Sequence, residues 1–119
     1  MFVKKMSDCP EFTANDGCQI RELLHPNNDP VALPYSLALA TVAVSASTYK
    51  HRLDQTEIYH IQQGRGLLHI DEESQEVEAG DTAVIPAQAI QWIDNTGTVP
   101  LIFSAIVSPA WSDDGDTRL

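Results

Sequence analysis

Turn-forming residues break this chain at short, nearly regular intervals, and that spacing limits what it can fold into. Asn15-Asp16-Gly17, His25-Pro26-Asn27-Asn28-Asp29-Pro30, Ser45-Ala46-Ser47, Gly64-Arg65-Gly66, Asp71-Glu72-Glu73, Gly80-Asp81, Pro86 and Asn95-Thr96-Gly97 all favour turns over regular elements. Between them lie short runs rich in apolar and β-branched residues, at 19–24, 36–44, 57–62, 67–70, 82–85, 91–93 and 101–107. No window of a dozen residues holds a clean helical period. Residues 36–44 (SLALATVAV) compete best for helix, but the preceding Pro34 and the Thr/Val ending favour a strand. The pattern predicts an all-β sandwich or barrel, closed so that few strand edges invite aggregation.

Composition narrows the partners. The 119 residues suffice for one domain with a real core. Seven basic against seventeen acidic side chains give a net charge of −10, which opposes nucleic-acid binding and docking on an anionic membrane. Ten of those acidic residues fall after position 65, where Arg118 is the sole basic one. No run reaches the roughly 18 apolar residues of a membrane span. The start, MFVKKMSD, lacks an apolar segment behind its lysines, so a cytoplasmic protein with reduced Cys9 and Cys18 is expected. No P-loop, dinucleotide fingerprint or nucleophile motif occurs, and no organic cofactor is indicated.

The chemistry concentrates in residues 49–95. His51, Leu53, Glu57, Tyr59 and Ile61 share parity, so on an unbroken extended chain they face one side. Leu53 and Ile61 mark that side as the interior. A His and a Glu pointing into an apolar barrel need a hydrogen-bond partner or a metal, because a lone buried carboxylate costs several kcal/mol. Tyr59 is a candidate substrate-binding residue on the same face. His60 has the opposite parity, His69 is expected at the surface, His25 in a capped turn, and Trp92 outward.

On these residues the chain resembles the cupin superfamily, whose two motifs read G-x5-H-x-H-x3–4-E-x6-G and G-x5-P-x-G-x2-H-x3-N. The first aligns with Ser45, His51, Leu53, Glu57 and Gly64, the second with Gly80, Pro86, Gln88, Gln91 and Asn95, all internal spacings matching. The resemblance implies a small single-domain cupin β-barrel, or double-stranded β-helix jelly roll, over residues 17–111. An N-terminal arm (1–16) precedes it, and a polar acidic tail expected to fray (112–119) follows. It also implies a divalent metal (Zn, Mn, Fe, Ni or Co) held in the lumen by His51, Glu57 and Gln91.

The departures from the pattern bear on function. Leu53 replaces a second imidazole and cannot ligate, and Gln91 offers only an amide oxygen where cupins have a third His. The set therefore lacks the two-His-one-carboxylate arrangement of non-haem iron oxygenases, which disfavours a dioxygenase. Ser45 and Gln88 stand where the motifs have glycine, so those turns are expected to avoid positive φ. Two functions remain open. One is a metal-dependent, isomerase-like enzyme acting on a sugar, sugar phosphate or other small polar metabolite, as in phosphomannose isomerase-type cupins. The other is a metal-free, non-catalytic binding domain in which His51, Glu57 and Gln91 hydrogen-bond one another. No catalytic acid or base can be named. A homodimer is expected, since cupins of this kind commonly pair and outward Trp92 and Ile58 would leave an apolar patch.

Overall fold

The computed structural model describes residues 1–119. Eleven strands form two antiparallel sheets that face each other. The first sheet runs, in spatial order, β1 (Glu11–Thr13), β2 (Gln19–Leu24), β3 (Ser36–Val42), β10 (Leu101–Ser108), β5 (Thr56–Gln63) and β8 (Thr82–Ile85). The second runs β11 (Asp116–Arg118), β4 (His51–Leu53), β9 (Ile90–Asn95), β6 (Arg65–Ile70) and β7 (Glu73–Glu78). All seven apolar runs of the sequence are strands, and no α-helix forms.

Alternation sorts each strand into an inner and an outer face. On β5, Glu57, Tyr59 and Ile61 are buried; on β10, so are Leu101, Phe103, Ala105 and Val107; on β9, Gln91, Ile93 and Asn95. The register sets these rows side by side: Glu57 opposite Val107, Tyr59 opposite Ala105, Ile61 opposite Phe103. The interior is thereby graded. Leu101, Phe103, Ile61, Leu68 and Ile93 fill one end as a dry core, while His51, Glu57, Gln91 and Asp16 are among the buried polar groups of the other. Asn95 closes the dry end, its amide donating to the carbonyls of Val42 and Val99.

Four strands were not legible as runs. β1, β4 and β11 have three residues each, too few to show a period. β7 is a sheet edge with five of its six residues exposed, so it carries no apolar alternation. The tail does not fray: a 3-10 turn at Asp113–Gly115 leads into β11, which pairs with β4, and the Leu119 N–H donates to the Lys50 carbonyl. Pairing of its backbone outweighs the solvation of its charges. The arm likewise adds β1 to the edge of the first sheet and buries Cys9.

The turns at Ser45 and Gln88 also differ from expectation. Both keep the left-handed backbone of the motif glycines, at φ 64° and 72°. Gln88 offsets part of that strain through a hydrogen bond from its amide to Asp54 and one from its N–H to the Leu53 carbonyl. Ser45 has no such side-chain bond among those formed. Ser45→Gly is therefore expected to stabilise the protein by about 1 kcal/mol in urea denaturation. Phe103→Ala, in the dry core, is expected to cost about 3–5 kcal/mol in the same assay.

Candidate functional site

The polar end of the lumen is assembled from four separate pieces of chain. β4 lies between β11 and β9, so His51 sits opposite both Arg118 and Gln91 in register. β5 contributes Glu57 from the facing sheet. The turn before β2 contributes Asp16, and β11 contributes Asp116.

His51 is 4% exposed. Its Nδ1–H donates to Asp116 Oδ1 at 3.2 Å, and Asp116 Oδ2 accepts the Trp111 indole N–H at 3.0 Å. Trp111 is itself fixed: its backbone N–H donates to Ser36 Oγ, and its carbonyl accepts from His25 Nε2. The other imidazole nitrogen, Nε2, is buried without a hydrogen-bond partner and lies 3.6 Å from Asp16 Oδ2. Asp16 is held by the Cys18 N–H on Oδ1 and the Tyr49 N–H on its carbonyl, which leaves Oδ2 toward His51. The turn needs Gly17: at φ 88°, an added Cβ would stand 2.8 Å from the Tyr49 ring.

Glu57 Oε1 is a second buried, unpartnered atom. Burial pushes the Glu57 carboxyl up to about 7, against the opposing pull of the His51 charge and the Gln91 amide; Asp16 and Asp116 push it further up. For His51, burial disfavours the imidazolium, but the bond to Asp116 and the charges of Asp16, Asp116 and Glu57 outweigh it and raise its pKa. Burial, with the charge of Asp16, drives the Cys18 thiol far up, so this residue is no nucleophile.

A pocket of about 260 Å³ opens onto this cluster. His51, Leu53, Glu57, Asp16 and Asp116 lie in its wall with the apolar Phe12, Ile20, Val107 and Trp111. Of the expected site residues, His51, Glu57 and Gln91 are all turned inward, and Leu53, 2% exposed, faces the lumen as the alignment requires. Gln91 and Tyr59 do not line the pocket. The Tyr59 hydroxyl donates to Gln91 Oε1 at 3.0 Å, and its ring rests 4.2 Å from that of Phe103, in the core. Tyr59 thus braces Gln91 beneath the pocket instead of presenting its hydroxyl to a ligand there.

Asp16, Asp116 and Trp111 were missed in the sequence. Asp16 reads as part of a turn signal and Asp116 as part of an acidic tail; only the fold brings either to His51. The other histidines lie apart from the cluster. His60 is exposed and contacts Thr82, and His25 caps its turn by accepting the Asn27 N–H. His69 stacks on Trp92 outside the second sheet and donates to Asp94 at 2.7 Å. No three His, Cys, Asp or Glu side chains are already arranged as a complete metal-ligand set.

A model of the cupin domain family matches residues 38–107. The chain belongs to the cupin family. An uncharacterized protein of Methanocaldococcus jannaschii is 41% identical over 109 residues, or 91% of this cupin and 86% of that protein. Among solved structures, a predicted oxalate decarboxylase from Thermotoga maritima matches with a TM-score of 0.76 and 21% identity, over 91% of this chain and 99% of the other. The oxalate decarboxylase of Lactobacillus farciminis, in a formate complex, gives 0.83 and 24%, over 96% of this chain and 34% of that one. The polyketide cyclase RemF from Streptomyces resistomycificus gives 0.81 and 14%, over 100% and 85%. These likenesses show the cupin jelly roll. No helix of the protein is long and apolar enough to cross a membrane.

The shifted groups give a sign for pH dependence. His51 and Glu57 both hold a proton more tightly folded than unfolded, so the stability they contribute is complete below the unfolded carboxyl value and is lost as pH rises through the folded one, near 7 for Glu57. With a chelator present, thermal stability is expected to fall between about pH 5 and about pH 8. Glu57→Gln is expected to flatten that slope and to exceed wild type at the upper pH by roughly 1–3 kcal/mol.

Proposed function

We propose that this cupin binds a divalent transition metal at the polar end of its lumen, and that the pocket above it takes a small polar metabolite. The observation that carries the reading is the pair of buried, unpartnered atoms beside the pocket, His51 Nε2 and Glu57 Oε1. A buried lone pair facing carboxylates is stable only with a cation between them, either a proton or a metal. The rest of the surroundings suits a metal. A metal-bound imidazole usually donates its second N–H to a carboxylate, as His51 does to Asp116.

His51 and Glu57 would hold the ion, with Gln91 contributing through the second lone pair of its carbonyl oxygen. Water and the bound metabolite would fill the remaining positions, as in open catalytic sites. The metal would supply Lewis acidity, polarising a carbonyl or hydroxyl of the metabolite. The protein's own work is to orient. Asp116, fixed by Trp111, sets the imidazole plane; Tyr59 and Gln91 set the Glu57 end; Phe12, Ile20 and Val107 shed water from the pocket. A carboxyl near neutrality such as Glu57 is also suited to hold or release a proton, the requirement of an isomerase-like reaction.

The second reading, a metal-free binding domain, draws on the absence of a complete ligand set. In it His51 is an imidazolium bracketed by Asp16 and Asp116.

Isothermal titration with Zn(II) and Mn(II) separates the two. One weak site per chain is expected, and Glu57→Gln is expected to lose about tenfold or more in affinity, a loss of about 1.4 kcal/mol. Leu53→His, which adds an imidazole to the same pocket wall, is expected to tighten binding by at least as much. Absence of uptake by wild type would favour the metal-free reading.

A further inference from the structure

The pocket is predominantly acidic, with His51 its one basic side chain. Five carboxylates line it: Asp16, Glu22, Glu57, Asp113 and Asp116. No lysine or arginine does. Several of the chain's cationic side chains are committed elsewhere: Lys4 to Asp29, Arg21 to the Cys9 carbonyl and Glu11, Lys50 over Trp92, and Arg118 over Tyr49. The acidic groups are not merely a solvated surface. Asp16 and Glu57 are 6% and 7% exposed, and the buried Nε2 and Oε1 atoms beside them lack partners. Interspersed with the charge, Phe12, Ile20, Val107 and Trp111 offer apolar and aromatic surface: Val107 pairs across the sheet with Glu57, and Trp111 bonds Asp116.

We propose that the pocket selects small organic cations, a primary ammonium group on a short apolar body, over carboxylates and phosphate esters. The inference rests on the reading that this pocket is a ligand site, and it holds with or without the metal. A divalent ion leaves five carboxylates against two positive charges, so the field at the mouth still repels anions. An ammonium group donates three hydrogen bonds and accepts none, which matches a wall of acceptors. Its alkyl body packs on the apolar residues of the lining, Trp111 among them. Oxalate and sugar phosphates, by contrast, would bring negative charge into a cavity where five carboxylates outnumber His51 and no lysine or arginine receives it.

The test is a series of n-butylammonium, n-butanol and butyrate titrations followed by ¹H–¹⁵N NMR at the Trp111 indole N–H, which sits in the pocket wall on Asp116. A Trp92→Phe variant assigns that signal. n-Butylammonium is expected to bind about tenfold or more tightly than butyrate, with butanol between, and the preference is expected to weaken with salt. Glu22→Gln with Asp113→Asn, at the rim, is expected to reduce the preference several-fold. Equal or tighter binding of butyrate, or no shift with n-butylammonium at its highest soluble concentration, would overturn the proposal. Running the series with chelator and again with added Zn(II) separates the claims. Discrimination without metal uptake overturns the metal reading alone, and metal uptake without discrimination overturns this one alone.

Discussion

The lumen is organised around one imidazole that is buried among carboxylates. His51 is tied on one nitrogen to Asp116 and faces Asp16 with the other, while Glu57 stands near from the opposite sheet. Burying this much negative charge beside a single histidine is costly unless positive charge comes with it. Both shifted pKa values express that demand: the folded protein holds protons on His51 and Glu57 that the free side chains would release. The metal we propose would satisfy the same demand with two charges instead of one, in competition with the proton.

The demand also explains why the chain termini matter. Asp16 lies before the first long strand and Asp116 three residues from the end, yet both reach His51 because short strands pin their surroundings, β1 on β2 and β11 on β4. Trp111 ties the C-terminal arrangement to the first sheet, holding Asp116 through its indole and Ser36 of β3 through its backbone N–H. The dry end of the lumen does the opposite work. Phe103, Ile61, Leu101 and Ile93 supply apolar burial that pays for the polar end.

How much of this was legible follows from period and length. The long strands announce themselves because half their residues are apolar and alternate, and the inward parity of His51, Leu53, Glu57 and Tyr59 follows from counting by two. The motif spacing adds Gln91, and its inward position is as expected. Three-residue strands carry no period, and a polar edge strand such as β7 looks like a loop, so those elements were invisible. Parity also cannot say how deep a side chain sits: Tyr59 and Gln91 share the inward face yet lie beneath the pocket, bonded to each other. Nor can it announce long-range partners such as Asp16 and Asp116, which local sequence marks only as turn and tail. Ser45 and Gln88 teach a related point, since the fold imposes a left-handed backbone on residues that do not favour it.

The central proposal is that a divalent metal binds between His51 Nε2 and Glu57. Anomalous diffraction from crystals soaked in Mn(II) addresses it directly. The account predicts one strong peak in the lumen within bonding distance of His51 Nε2 and a Glu57 oxygen, absent in Glu57→Gln crystals soaked alike. Peaks confined to surface carboxylates, with the lumen empty and His51 still bonded to Asp116, would contradict it.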